Sequence, residues 1–247
     1  MIEIRRLNKM FGRTHAVVDL DLEVTKGEIF GFLGPNGAGK TTTIKILNGL
    51  LAPTSGQVLL KGFDIERDPV SVKQITGYVA DRPFLYEKLT GMEFLHFTGG
   101  LYGLDKATCD KEGRQYLEMF ALEDVADELI EGYSHGMKQK LVISSVLLHR
   151  PEIFVVDEPM VGLDPRSART LKDLFRRLCA GGVTIFLSTH TLAIAETLCD
   201  RVGIIQAGRL RALGTVAELR GMASSPAADL EDIFLQLTEE GDEMVPE

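Results

Sequence analysis

The stretch IFGFLGPNGAGKTTTIKIL (29–47) constrains this chain more than any other. Ile29–Leu33 reads as a short buried strand, a glycine-rich loop follows, and a helix then runs to near Gly49. The octet GPNGAGKT (34–41) fits G-x-x-x-x-G-K-[ST] between a strand and a helix, the context that pattern requires. Its glycines let backbone N–H groups turn inward around phosphate oxygens, and the helix start adds a favourable dipole. Lys40 is expected to reach the β- and γ-phosphates and the Thr41 hydroxyl to bind Mg²⁺. The candidate nucleotide-binding set is Gly34, Pro35, Asn36, Gly37, Ala38, Gly39, Lys40, Thr41 and Thr42.

A second acidic element completes such a site. IFVVDE (153–158) is an apolar strand ending in two carboxylates. Asp157 at the strand end can hold Mg²⁺, directly or through water, and Glu158 can act as general base on an attacking water. Many strands end in acids at a loop; beside a phosphate loop the pair gains meaning. VGLDP (161–165) then places Asp164 at a helix N-cap with Pro165 in the first helical position and Gly181-Gly182 as the stop. FLSTH (186–190) puts His190 at the end of the next strand, within reach of a γ-phosphate.

The fold expected around these motifs is α/β. MIEIRRL, HAVVDLDLEV and SGQVLLKG alternate apolar and polar positions as half-buried strands do, whereas IFGFL, IFVVD and VTIFLS are apolar throughout. ITGYVA (75–80) reads as another short buried strand. From about residue 87 to residue 150 the apolar spacing turns helical, which marks a subdomain inserted into the sheet. The expectation is a phosphate-loop NTPase core with a mostly parallel sheet, an N-terminal antiparallel β-subdomain and an inserted α-helical subdomain. It occupies residues 1–220, followed by a linker over 221–229 and an amphipathic helix and tail over 230–247, with Leu230, Ile233, Phe234 and Leu237 on one face.

Charge and cysteine content narrow the function classes. Lys+Arg 27 against Asp+Glu 36 gives a net charge of −9, which argues against broad nucleic-acid binding. Three scattered cysteines make neither a disulfide framework nor a zinc site and read as buried thiols. No secretory signal and no long apolar span is visible, so the expected location is the cytoplasm.

The order of phosphate loop, serine-led helix, VVDE, LDP and STH resembles the ATP-binding subunit of an ATP-binding-cassette (ABC) transporter over about residues 2–220. That resemblance implies a Mg²⁺-dependent ATPase that dimerises around two ATP molecules and drives a separate membrane permease, with the cassette peripheral on the inner membrane face. It implies that the helix start in YSHGM (133–137), carrying Ser134, His135 and Gly136, faces the γ-phosphate held by the other copy. The usual loop is Leu-Ser-Gly-Gly-Gln; here His135 and Met137 replace a glycine and a glutamine. The glutamine that usually contacts Mg²⁺ is replaced by Asp81, either a metal ligand or a solvated turn acid. Phe11 matches the aromatic that stacks on adenine, with a core phenylalanine as the alternative. Phe84 and Tyr86 match the groove that receives a permease helix. By flavour the chain resembles exporter-type subunits, and a homodimer is favoured over a heterodimer. The rival classes are a soluble ABC ATPase of translation or DNA repair and a non-hydrolysing regulatory protein. One cassette, no sustained heptads between Lys40 and Asp157, and the intact Lys40, Asp157, Glu158 and His190 argue against them.

Overall fold

The computed structural model describes residues 1–82, 84–222 and 230–239. Pro83, residues 223–229 of the expected linker and residues 240–247 of the expected tail lie outside the described residues. Two sheets organise the chain. The first is antiparallel and built from β1 (Ile2–Phe11), β2 (Thr14–Val24), β4 (Ser55–Leu60) and β5 (Phe63–Asp64), in the order β2-β1-β4-β5. The second runs β10-β9-β3-β8-β7-β6, where β3 is Ile29–Leu33, β6 Thr76–Val79, β7 Ile153–Asp157, β8 Thr184–Thr189, β9 Arg201–Gln206 and β10 Arg209–Gly214. Its neighbours pair in parallel except for the edge strand β10.

Alternation along the central strands decides which layer each residue feeds. Phe30 and Phe32 of β3, Val155 of β7 and Phe186 of β8 join the core beneath the antiparallel sheet, with Ile2, Leu20 and Val58. The Phe186 ring lies 5.5 Å from Phe30 and 5.4 Å from Phe32. Phe154, Val156, Ile185 and Leu187 face the other way, into a core closed by helices. There Phe154 meets Phe175 edge to face at 5.7 Å.

Helices fill the connections: α1 (Lys40–Leu47), α2 (Pro69–Ile75), α3 (Gly91–Leu101), α4 (Lys106–Met119), α5 (His135–Leu147), α6 (Pro165–Ala180), α7 (Leu192–Leu198), α8 (Val216–Met222) and α9 (Leu230–Glu239). The inserted stretch carries α3, α4 and α5, which pack on one another between β6 and β7. Its first helix starts with a reciprocal cap: Glu93 N donates to Thr90 Oγ1 at 3.2 Å and Thr90 N to Glu93 Oε2 at 2.9 Å. In α9, Ile233 is buried in a small cluster with Ala195 of α7 and Leu219 of α8, and Phe234 packs against it. Among the described residues, no helix is long and apolar enough to cross a membrane.

Three local differences from the sequence reading have plain causes. The strand expected at 75–80 begins at Thr76, because Ile75 closes α2, a helix the periodicity does not reveal. The helical stretch expected to reach residue 150 closes with α5 at Leu147, and Arg150, next to Pro151, takes a left-handed φ of 53°. Gly221 and Met222, read as the start of a linker, close α8.

Of the three cysteines read as buried thiols, Cys109 is buried and Cys179 and Cys199 are partly buried. Cys109 is buried beside Gly99 and Cys199 lies against Gly31, where an added Cβ would meet its sulfur at 2.7 Å. Burial pushes the thiols of Cys179 and Cys199 up to about 12, and that of Cys109 in the same direction.

Thr90→Ala removes the α3 cap and is expected to cost about 1 kcal/mol of stability, seen as a lower urea midpoint with an unchanged slope.

Candidate functional site

Strand register brings the site together. In the parallel sheet Leu33 stands opposite Thr189 and Asp157 opposite Ser188. The chain therefore leaves β3, β7 and β8 at one carboxyl edge, the place where open α/β sheets bind ligands. Residues 34–42, 157–164 and 188–191 emerge there side by side.

The 34–39 loop is shaped by its glycines. Gly37 and Gly39 have φ of 81° and 108°, and an added Cβ on Gly39 would meet Ala16 O at 2.4 Å. Gly39 also supplies no side-chain cap to α1, so the first-turn amides suit an anionic acceptor. A cavity of about 150 Å³ is lined by Ala16, Asn36, Gly37, Gly39, Lys40, Thr41 and Thr42. The buried Lys40 ammonium donates to Gly34 O at 2.5 Å and Pro35 O at 3.0 Å. Burial lowers its pKa, and the charges of Glu158 and Asp157 oppose that shift.

The carboxylates are fixed by hydroxyls from two directions. Thr41 Oγ1 donates to Asp157 Oδ2 at 3.2 Å, and Ser188 Oγ donates to Asp157 Oδ1. Asp157 is only 4% exposed. Glu158 has a left-handed φ of 50°, which turns its carboxylate back toward β8. Thr189 Oγ1 donates to Glu158 Oε2 at 3.1 Å, His190 N to Oε1 at 2.9 Å, and His190 Nδ1 lies 2.7 Å from the same oxygen. Asp81 follows β6 at the neighbouring strand end. Burial pushes the Tyr78 hydroxyl up to about 12, with the charges of Asp157 and Asp81 adding to it. Phe11 ends β1, is 49% exposed, and carries Lys9 Nζ 5.1 Å from its ring centroid.

A second constellation forms at the start of α5. Ser134 is exposed and caps the helix, accepting from Met137 N at 3.3 Å. The ring of His135 lies on Gly162, and Gly136 faces the Gly162 carbonyl. Asp164 caps α6 through Ser167 N at 3.0 Å and Ser167 Oγ at 2.5 Å, and Lys140 Nζ stands 3.6 Å away. The Ser167 bonds, hydroxyl first, hold the Asp164 carboxyl down at about 2. Among the described residues, no hydrogen bond joins Ser134, His135 or Gly136 to the 34–42 loop. The sequence-derived residues thus fall into two groups: Lys40, Thr41, Asp157, Glu158 and His190 in one, and Ser134, His135, Gly136 and Asp164 in the other. The sequence reading passed over Ser188, Thr189 and Gly162; two hydroxyls directly before His190 were the available signal for the first two.

A family model for ABC transporters matches residues 17–161. The chain belongs to the ABC transporter family. It is an ATP-binding and ATP-hydrolysing cassette, and ATP-binding subunits of this family dimerise and work with a membrane permease. The linearmycin resistance ATP-binding protein LnrL of Bacillus subtilis (strain 168) is 36% identical over 241 residues, 98% of this chain and 76% of the relative. The probable multidrug ABC transporter ATP-binding protein YbhF of Escherichia coli (strain K12) is longer: it is 37% identical over 245 residues, 98% of this chain and 42% of the relative. A solved ATP-binding subunit of an ABC transporter superposes with a TM-score of 0.90 at 33% identity, covering 96% of this chain and 99% of that one. The dimeric cassette MJ0796, in a post-hydrolysis state with ADP and Pi, shares the fold with a TM-score of 0.80 at 23% identity, over 87% of this chain and 98% of its own.

The depressed Asp164 pKa gives a signed pH dependence. Its contribution is full above 3.8, the ordinary value, and is lost as pH falls toward about 2. The stability difference between wild type and Asp164→Ala is expected to shrink across that window in acid unfolding curves; a constant difference removes the linkage.

Proposed function

We propose that this cassette powers an exporter, working as a homodimer that closes head to tail around two ATP molecules. The observation carrying this reading is the grip of Thr189 and His190 on the Glu158 carboxylate, one residue from the Thr41–Asp157 contact and beside Lys40. In this reading Lys40 and the amides of residues 34–42 hold the phosphates and offset charge that develops on the transferred phosphoryl group. Glu158 accepts the proton of the attacking water. His190, through Nδ1, keeps that carboxylate aimed and senses the γ-phosphate. Phe11, exposed at the end of β1, stacks on adenine.

Thr41 and Asp157 would hold Mg²⁺, with Asp81 as a further oxygen ligand. The donor set fits: hard oxygens 3.2 Å apart match neighbouring ligands of an ion with bonds of about 2.1 Å, whose remaining positions go to water and phosphate. Among the described residues, no group of three or more His, Cys, Asp or Glu makes a metal cage, which suits an ion carried in with the nucleotide. The bound ion would neutralise phosphate charge.

Ser134, His135 and Gly136 would close over the nucleotide of the other copy, with Asp164 at the seam. The helix start and the Ser134 hydroxyl provide an anion site without a basic side chain. For the permease, Phe84 is 80% and Tyr86 48% exposed while Leu85 is buried. Tyr86 meets Phe84 and Phe97 edge to face at 5.5 and 5.1 Å, so the three form a continuous aromatic patch of the kind that marks an interface. The resistance role in the name of LnrL supports export. A net charge of −9 disfavours a nucleic-acid partner, and binding to the permease would keep the cassette peripheral on the cytoplasmic membrane face.

Glu158→Gln is expected to bind ATP, accumulate as a dimer on size exclusion, and turn over about 10² to 10⁴ times more slowly; normal turnover removes Glu158 from the role. Phe84→Ser with Tyr86→Ser should abolish transport in vesicles while leaving basal hydrolysis intact, whereas equal loss of both would identify core residues.

A further inference from the structure

The start of α5 is locked to the loop that follows Glu158. An added Cβ on Gly162 would lie 2.4 Å from His135 Cδ2, 3.1 Å from Nε2 and 3.5 Å from Cγ, so the imidazole sits directly on the glycine Cα. Gly162 holds a left-handed φ of 77°. In return, an added Cβ on Gly136 would lie 2.7 Å from Gly162 O. One turn further along α5, Lys140 Nζ stands 3.6 Å from Asp164 Oδ2. The loop between is short and internally bonded, Val161 N to Glu158 O at 3.2 Å and Leu163 N to Met160 O at 3.3 Å. Contacts from His135, Gly136 and Lys140 therefore join the first turns of α5 to a short, internally bonded loop whose other end is Glu158.

From this geometry we infer that His135 is a positioning residue, whose ring on Gly162 makes the helix start and the Glu158 loop move as one body. The inference rests on the head-to-tail reading above. In such a dimer the helix start meets the partner's nucleotide while Glu158 serves its own, so this contact links the two nucleotides within each chain. The glycine usual at this position in loops resembling YSHGM has no side chain to make the contact. Met137, the other departure from that loop pattern, packs against the helical core.

The test uses the full chain with ATP and compares His135→Ala, His135→Phe, Gly162→Ala and the double variant His135→Ala/Gly162→Ala. His135→Ala should lower kcat about tenfold, inside the roughly 10²-fold that a small misplacement of a positioned group can cost, and bring the ATP Hill coefficient toward one, with ADP affinity unchanged. His135→Phe keeps a flat ring on the glycine and should recover most of the rate and cooperativity that His135→Ala loses. Gly162→Ala should be damaging in the wild-type background and much less so on His135→Ala, where the clashing ring is gone; left-handed strain is common to both backgrounds. Full rate and cooperativity in His135→Ala overturn the inference. So do a His135→Phe as impaired as His135→Ala, which would make a ring nitrogen the working group, and an undiminished Gly162→Ala effect in the double variant. If Glu158→Gln alone forms no ATP-bound dimer, the head-to-tail reading falls and takes the inference with it. If Glu158→Gln dimerises and His135→Ala keeps full cooperativity, only the inference falls.

Discussion

Parallel pairing among β3, β7 and β8 sets everything else at this site. Three strands end flush, and each releases a loop with a different chemistry: amides and an ammonium after β3, carboxylates after β7, hydroxyls and an imidazole after β8. The pairing is held from both faces by alternate residues, Phe186 toward one core and Ile185 and Leu187 toward the other. A shift of one residue in β7 would exchange those faces and move Asp157 away from Thr41 at once. The side-chain network at the edge is therefore a product of apolar packing beneath it.

What the sequence made legible follows the strength of local physical signals. The phosphate loop was readable because its glycines, lysine and threonine occupy fixed offsets and its flanking strand and helix are unambiguous. Asp164 and Ser134 were readable as helix caps, and both cap as expected. The short helix α2 was not, because only Val72 of its seven residues is buried and so no apolar period exists to detect. Ser188 and Thr189 escaped because hydroxyls are common in strands, and their value lies in facing Asp157 and Glu158 from a strand distant in sequence.

Two of the three departures from the usual family pattern, Asp81 and His135, look different once placed in space. Asp81 stands among negative charge, sharing the neighbourhood of Tyr78 with Asp157. In the proposed reading a bound cation would offset that charge, and the alternative is a solvated turn acid. His135 has a partner already within its own chain, Gly162. On the readings proposed above, one substitution looks toward the ligand and the other toward the scaffold.

The packing of the cysteines has a practical side. Alkylating and oxidising reagents act on thiolate, and burial pushes all three native thiols up, away from that form. A single cysteine introduced on its surface would present an ordinary thiol against three whose ionisation burial disfavours, and would be the first to take up a fluorophore or a spin label.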